Sequence, residues 1–293
     1  MKPKHWFAFL LLGAIWSSSF LWIKIAVQEV DPITLVAFRT LFGLLFGLAV
    51  IFAQRIQLPR RSRDLLPLLL LGITNVAIPF ILISWGEQTI DSAVAAILDA
   101  TVPLFTIVIA HVLLADDKMT LPKTLGLLIG FAGVIVLLSK DIGASPGSVL
   151  GQAAVVVASM FYAGSGVYAR KTTEAAPGIL RSAGPLVSAS LVMWAAAFTI
   201  NRPLTIPHTP LTWFALLWLG ILGSGFAFVL SYYLIHEIGP TRTSMVTYLF
   251  PLGGVTLGVL FLREPLTWQL ITGGVLIVAS LAVANWPAAE KQR

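Results

Sequence analysis

Ten long apolar runs dominate this chain, and they leave it few ways to fold. They cover Trp6–Val27, Ile33–Ala53, Leu65–Trp85, Ser92–Leu114, Thr120–Ser139, Ser148–Ala169, Ile179–Ile200, Leu211–Ile235, Pro240–Leu262 and Thr267–Trp286. Each has the roughly 20 residues that a helix needs to cross the hydrocarbon core of a bilayer. No water reaches backbone amides there, so a spanning segment is either a helix or a strand of a closed barrel. Barrel strands alternate apolar and polar residues over about ten positions. These runs are longer and continuously apolar, so helices are expected. The balance of residues agrees. Only 11% of the chain is charged, 57% is hydrophobic and the mean hydropathy is +0.90, whereas a soluble domain carries about a quarter charged residues. The first run follows a basic start (Lys2, Lys4), but it is long enough to span and no small-x-small cleavage site follows it, so it is expected to stay as a helix.

The net charge of +6 could suit nucleic acid, but the cations sit in short gaps between apolar runs. That is the pattern of cytoplasmic loops facing anionic lipid, and no nucleic-acid partner is expected. With the N-terminus inside, the inner segments hold Lys2, Lys4, Arg55, Arg60, Arg61, Arg63, Lys118, Lys123, Arg170, Lys171, Arg181, Arg242, Lys291 and Arg293. The outer segments and the spans hold only Lys24, Arg39, Lys140, Arg202 and Arg263. Ten crossings return the chain to the side on which it starts, so both termini are predicted to be cytoplasmic.

The stretch from Lys140 to Gly147 is rich in Gly, Pro and Ser and divides the chain almost equally. The two halves, 1–140 and 147–293, align without a gap at an offset of 148 residues. Gly72-Ile73 matches Gly220-Ile221, Phe80 matches Phe228, Pro103-Leu104 matches Pro251-Leu252, Asp116 matches Glu264 and Gly126 matches Gly274. Prolines and glycines carry most weight here, because each constrains backbone geometry. Five spans per half is an odd number, so the second half must insert upside down. Inverted repeats mark secondary transporters, whose substrate site lies near the midplane between the repeats. The expected fold is all-α and integral to the membrane, with ten transmembrane helices arranged as two inverted five-helix repeats. Gly43-xxx-Gly47, Gly126-xxx-Gly130 and Gly254-xxx-Gly258 read as close helix packing. Monomer and homodimer both remain open.

A family resemblance rests on the joint order of several short motifs. The first half opens with Gly13-Ala-Ile-Trp-Ser-Ser-Ser-Phe20, then Lys24, Asp31-Pro32 and Phe38-Arg39. Each half then has a mid-span Pro, an acidic loop and a Gly-rich fifth helix: Pro103, Asp116-Asp117 and Gly126, and later Pro251, Arg263-Glu264-Pro265 and Gly273-Gly274. In this the chain resembles the drug/metabolite transporter superfamily, of the ten-helix type with two EamA domains, and within it the aromatic amino acid exporters. Asp116 departs from the pattern, where Glu is usual. The resemblance implies export or exchange of small metabolites such as amino acids across a bacterial inner membrane.

Candidate site residues are those that lipid would not accept without a reason. Asp99 lies mid-span, where a carboxylate costs about 2.5–3.5 kcal/mol on insertion scales. It is either a substrate or proton contact or a packing carboxylate. Lys24 and Arg39 are candidate charge partners; Lys24 also suits snorkelling and Arg39 a structural role. Pro79, Pro103 and Pro251 would kink their helices and provide gating points. Trp16 and Phe20 share a helix face with Lys24, Asn75 shares one with Pro79, and Ser224, Phe228 and Tyr232 share another. With Tyr162, Ser165 and Tyr248 they could line a cavity for a partly aromatic solute.

Other chemistry finds little support. There is no cysteine. His5, His111, His208 and His236 are isolated, so neither a metal nor a cofactor is expected. No Walker lysine loop or nucleophile motif occurs, and an enzyme is not expected. The reading is a secondary transporter working by alternating access, with a flippase for a lipid or lipid-linked sugar as the alternative.

Overall fold

The computed structural model describes residues 2–56, 62–115, 118–139, 146–173, 176–200, 203–239, 243 and 245–285. Asp116-Asp117, Arg60 and Arg61 of the sequence reading lie outside them. The described residues are helical throughout, apart from turns and short connections. Among the described residues, nine helices are long and apolar enough to span: α1 (Pro3–Ala26), α2 (Pro32–Ala53), α3 (Leu65–Gly86), α4 (Ser92–Leu113), α5 (Leu121–Ser139), α6 (Gly147–Thr172), α7 (Gly178–Ile200), α8 (Pro210–Ile238) and α9 (Met245–Leu262). The last, α10 (Trp268–Ala284), is 17 residues long and equally apolar. Each of the ten runs overlaps one of these helices.

Local chemistry sets several helix starts. Asp31, Thr209 and Thr267 each accept a backbone N–H from the first turn, donated by Thr34, Thr212 and Leu270, which satisfies donors that the helix itself cannot. Proline follows the cap in α2 and α8, where its missing N–H is not needed. Helix α4 is different. Its N-cap Asp91 makes no side-chain capping bond. Instead Glu264, from the turn before α10, accepts Ser92 N–H at 2.7 Å and Ala93 N–H at 2.9 Å. Arg263 takes a left-handed φ of 57°, and this turn delivers Glu264 across to α4.

Helix pairings exchange under the 148-residue shift. Helix α1 packs on α9 as α6 packs on α4, α2 packs on α8 as α7 packs on α3, and α3 packs on α6 as α8 packs on α1. The pairs α2–α7 and α5–α10 map onto themselves. Departures from α-geometry repeat as well. Helix α3 widens to a π-helix over Gly72–Ala77 and α8 does so over Trp218–Phe226. Helix α4 breaks at Ala100 and Thr101, and α9 changes from 3-10 to α-helix between Tyr248 and Leu249.

Small residues bring the helices close together. Gly254 faces Ala96 and Gly126 faces the Ser280 carbonyl and Ala284, so the GxxxG glycines named above pack within the chain. The end of the bundle opposite Pro3 and Ala284, here the distal end, is tied by side chains. Glu29 accepts hydrogen bonds from the backbone N–H groups of His208 and Thr209 and from the Thr209 hydroxyl, and Thr205 donates to Asp31. These bonds join the α1–α2 turn to the segment before α8. Near the end that holds Pro3, His5 of α1 bonds to Glu237 of α8 at 3.0 Å.

Candidate functional site

A cavity of about 240 Å³ lies at mid-bundle. It is lined by Trp16, Ser19, Phe20 and Ile23 of α1, Arg39 of α2, Asn75, Phe80 and Ile83 of α3, Asp99 and Val102 of α4, and Tyr162 of α6. Gly223 and Phe228 of α8 and Thr247 and Phe250 of α9 complete it. The lining follows the internal duplication. Asn75 and Gly223, Phe80 and Phe228, Asp99 and Thr247, and Val102 and Phe250 are each 148 residues apart. The cavity therefore sits where the repeats meet. Its two charged residues, Arg39 and Asp99, both come from the first half.

The backbone explains why these positions face a cavity. A proline at position i removes the donor that the carbonyl at i−4 would receive in a helix. Those carbonyls belong to Asn75, Asp99 and Thr247 for Pro79, Pro103 and Pro251, and all three residues line the cavity. The π segments contribute Asn75 and Gly223, and such segments often mark functional positions. In α8 the hydroxyl of Ser224 donates to the Leu219 carbonyl at 3.1 Å, meeting a carbonyl within the widened segment.

Arg39 is 5% exposed. Its Nε donates to Ser224 Oγ at 3.0 Å, and its guanidinium carbon stands 3.6 Å from the centre of the Phe80 ring. Asp99 is 6% exposed and its Oδ1 is 3.5 Å from Ser159 Oγ. No ion pair joins Arg39 to Asp99. The cavity thus holds a guanidinium and a carboxyl group that do not form an ion pair with each other. Around them the walls are aromatic. Trp16 packs edge-on to Phe228 and Phe250, and Phe20 to Phe250, with ring centres 6.1–6.3 Å apart. The indole N–H of Trp16 donates to the Gly223 carbonyl at 3.1 Å.

Of the residues singled out from sequence, Trp16, Phe20, Asn75, Asp99, Tyr162, Phe228 and Arg39 come together here. Ser224 is one contact behind, under Arg39. Pro79 is buried beside Phe80 without lining the cavity. Ser165 instead donates to Thr74 Oγ1 at 3.0 Å, in a separate groove between α3 and α6. Tyr232 lies under the Arg181 guanidinium at 4.8 Å, and Tyr248 accepts the Asn285 amide at 2.7 Å. Lys24 donates to the carbonyls of Glu87 and Ile90 at 2.6 and 2.7 Å. Thr247 and Phe250 were not anticipated, although shifting Asp99 and Val102 by 148 residues would have found them. Among the described residues no group of three or more metal-ligating side chains occurs.

A sequence profile described as the EamA-like transporter family matches the chain twice, over residues 4–139 and 149–286. The chain belongs to that family. Its members are membrane transporters rather than enzymes, and this is a multi-pass membrane protein. It is similar to the uncharacterized transporter YoaV of Bacillus subtilis strain 168, at 25% identity over 91% of each chain. The uncharacterized inner membrane transporter YedA of Escherichia coli K12 is 28% identical, covering 94% of this chain and 89% of its own. A solved crystal structure superposes with a TM-score of 0.71 at 19% identity, covering 97% of this chain and 98% of that one. At that identity the likeness concerns the fold.

Proposed function

We propose that this EamA-family member is a secondary transporter of small zwitterions in a bacterial inner membrane, above all neutral amino acids with aromatic or other apolar side chains. The observation that carries the proposal is the separated pair of Arg39 and Asp99 within aromatic walls. A zwitterion brings a carboxylate to Arg39 and an ammonium to Asp99, so each buried group gains an ion-pair partner when substrate is bound. Arg recognises carboxylates through paired N–H donors, and the rings of Trp16, Phe20 and Phe250 suit an aromatic side chain. The volume lies below the roughly 300–1,000 Å³ of drug-sized pockets, which fits a small metabolite.

Transport by alternating access follows from this geometry when the two repeats lie antiparallel, with the site on their shared axis and hinges at the interrupted helices. The cytoplasmic cation bias argues that the termini face inward, and the direction proposed is outward. The groove between α3 and α6 shares no residue with the central cavity, so it does not favour the lipid flippase.

The test is uptake of labelled amino acids by proteoliposomes containing the purified chain. Phenylalanine and other neutral amino acids should enter, and 3-phenylpropanoate, which lacks the ammonium, should compete weakly. Asp99→Asn should abolish that preference. If no amino acid moves while a lipid analogue does, the reading fails.

A further inference from the structure

We propose that Glu87 is a proton-binding carboxyl which, with Lys24, couples transport to a proton gradient. The inference rests on the transporter reading above but concerns a group outside its cavity.

Glu87 sits in the 87–91 turn at the distal end, immediately after α3. Its exposure is 0%, and neither carboxyl oxygen has a hydrogen-bond partner. An ionised carboxylate in that position would cost several kcal/mol. Burial pushes the carboxyl well above the usual carboxylate range, against the pull of Lys24 and Arg39. Nearby charges come from several elements: Lys24 on α1, Arg39 on α2, Asp99 on α4 and Glu264 after α9. Asp91 stands on the same turn at the N-cap of α4. Helix α6, which packs beside this turn, has no titratable residue from Gly147 to Met160.

The Lys24 ammonium has three N–H donors. Two are used by the carbonyls of Glu87 and Ile90, which pins the 87–91 turn to α1. No ion pair joins Lys24 to the Glu87 carboxyl in this arrangement. Loss of the proton would leave an anion beside a cation with a donor to spare, and an ion pair is the cheapest outcome. Lys24 would aim its spare donor at the carboxylate, and the pull of that ion pair would draw the ammonium off line from the two carbonyls and loosen the turn. A proton suits the site better than a metal ion, because Lys24 already places a positive charge there.

The link to substrate is short. Ile83 lies one turn before Glu87 and Ile23 one residue before Lys24, and both line the cavity. A change in the Lys24 bonds therefore acts directly on the distal wall of the site.

Two measurements test this. The first needs no substrate. Infrared difference spectra of the reconstituted chain, between acid and alkaline pH, should show a carboxylic acid C=O band that Glu87→Gln removes and Asp99→Asn leaves. Lys24→Met should move that band's titration to higher pH by about one unit. A band unaltered by both Glu87→Gln and Lys24→Met overturns the proposal.

The second uses labelled phenylalanine. The wild type should accumulate it in response to an imposed pH gradient. Glu87→Gln should retain counterflow yet ignore the gradient. If Glu87→Gln responds to the gradient like the wild type, or the wild type shows counterflow but no gradient response, coupling through Glu87 is wrong while transport stands. If the wild type shows no counterflow, the substrate reading falls and the infrared result alone decides the role of Glu87.

Discussion

Arg39 holds its guanidinium 3.6 Å above the ring of Phe80, so a buried cation in the middle of the bundle leans on an aromatic face rather than on a carboxylate. A desolvated contact of this kind is worth about 2 kcal/mol. The arrangement leaves the charge open to an incoming anion. Arg39→Lys keeps the charge but loses the planar fork and the bond to Ser224. We expect it to raise the apparent KM for phenylalanine about tenfold or more, since a charged hydrogen bond contributes about 1.5–3 kcal/mol. Phe80→Leu should lower thermal stability without removing carboxylate selectivity. Proteoliposome uptake and melting in detergent separate the two effects.

Glu264 supplies the cap that α4 lacks, and it comes from the other half of the chain. Glu264→Gln has one acceptor oxygen in place of two and no charge. It should cost about 1–3 kcal/mol in the state drawn here, seen as a lower Tm. The chain has no cysteine, so Ser19→Cys in the cavity gives a clean reporter. Its labelling from the distal side should rise when Glu264→Gln is added.

Gly254 meets Ala96 so closely that a Cβ at this position would overlap the alanine methyl. Gly254→Val must push α9 away from α4. Overpacking of this sort costs about 1–3 kcal/mol. Because both helices line the cavity, we expect loss of uptake as well as a lower Tm. Ala96→Gly in the same chain should restore part of each.

Glu29 is held down to about 2, from an ordinary 4.5, by hydrogen bonds from Thr212, Thr209 and the backbone of His208. A carboxyl lowered in the folded state contributes fully above its unfolded value and loses that contribution as pH falls toward the folded one. The distal tie should therefore be constant above pH 4.5 and weaken from there down to about 2. Melting measured against pH should show this acid-side decline in the wild type. In Glu29→Gln it should be smaller. A decline of equal size in both would remove Glu29 from the cause.

Some of the site was readable in advance. Asp99 and Arg39 stood out because lipid penalises a lone charge, and Pro79, Pro103 and Pro251 because proline acts on the backbone wherever it stands. Tyr232 and Tyr248 looked equally suitable but pair with Arg181 and Asn285 elsewhere. Helical periodicity places residues on one face of a helix without saying what that face meets. Glu87 drew no notice, since an acid at the end of a span reads as a solvated loop residue. Only the packing of α1 and α6 around the turn encloses it.

The sequence by itself determined the ten apolar helices, the 148-residue correspondence of the halves and the prolines near which α3, α4 and α9 depart from regular α-helix, but not the widened segment of α8. These follow from hydrophobic length and backbone chemistry, which act locally along the chain. The tertiary structure decided which polar groups share one cavity, that Glu264 caps a helix 172 residues away and that the Glu87 carboxyl is buried without a hydrogen-bond partner. Burial and pairing depend on distances between residues remote in sequence, and those distances exist only once the helices have packed.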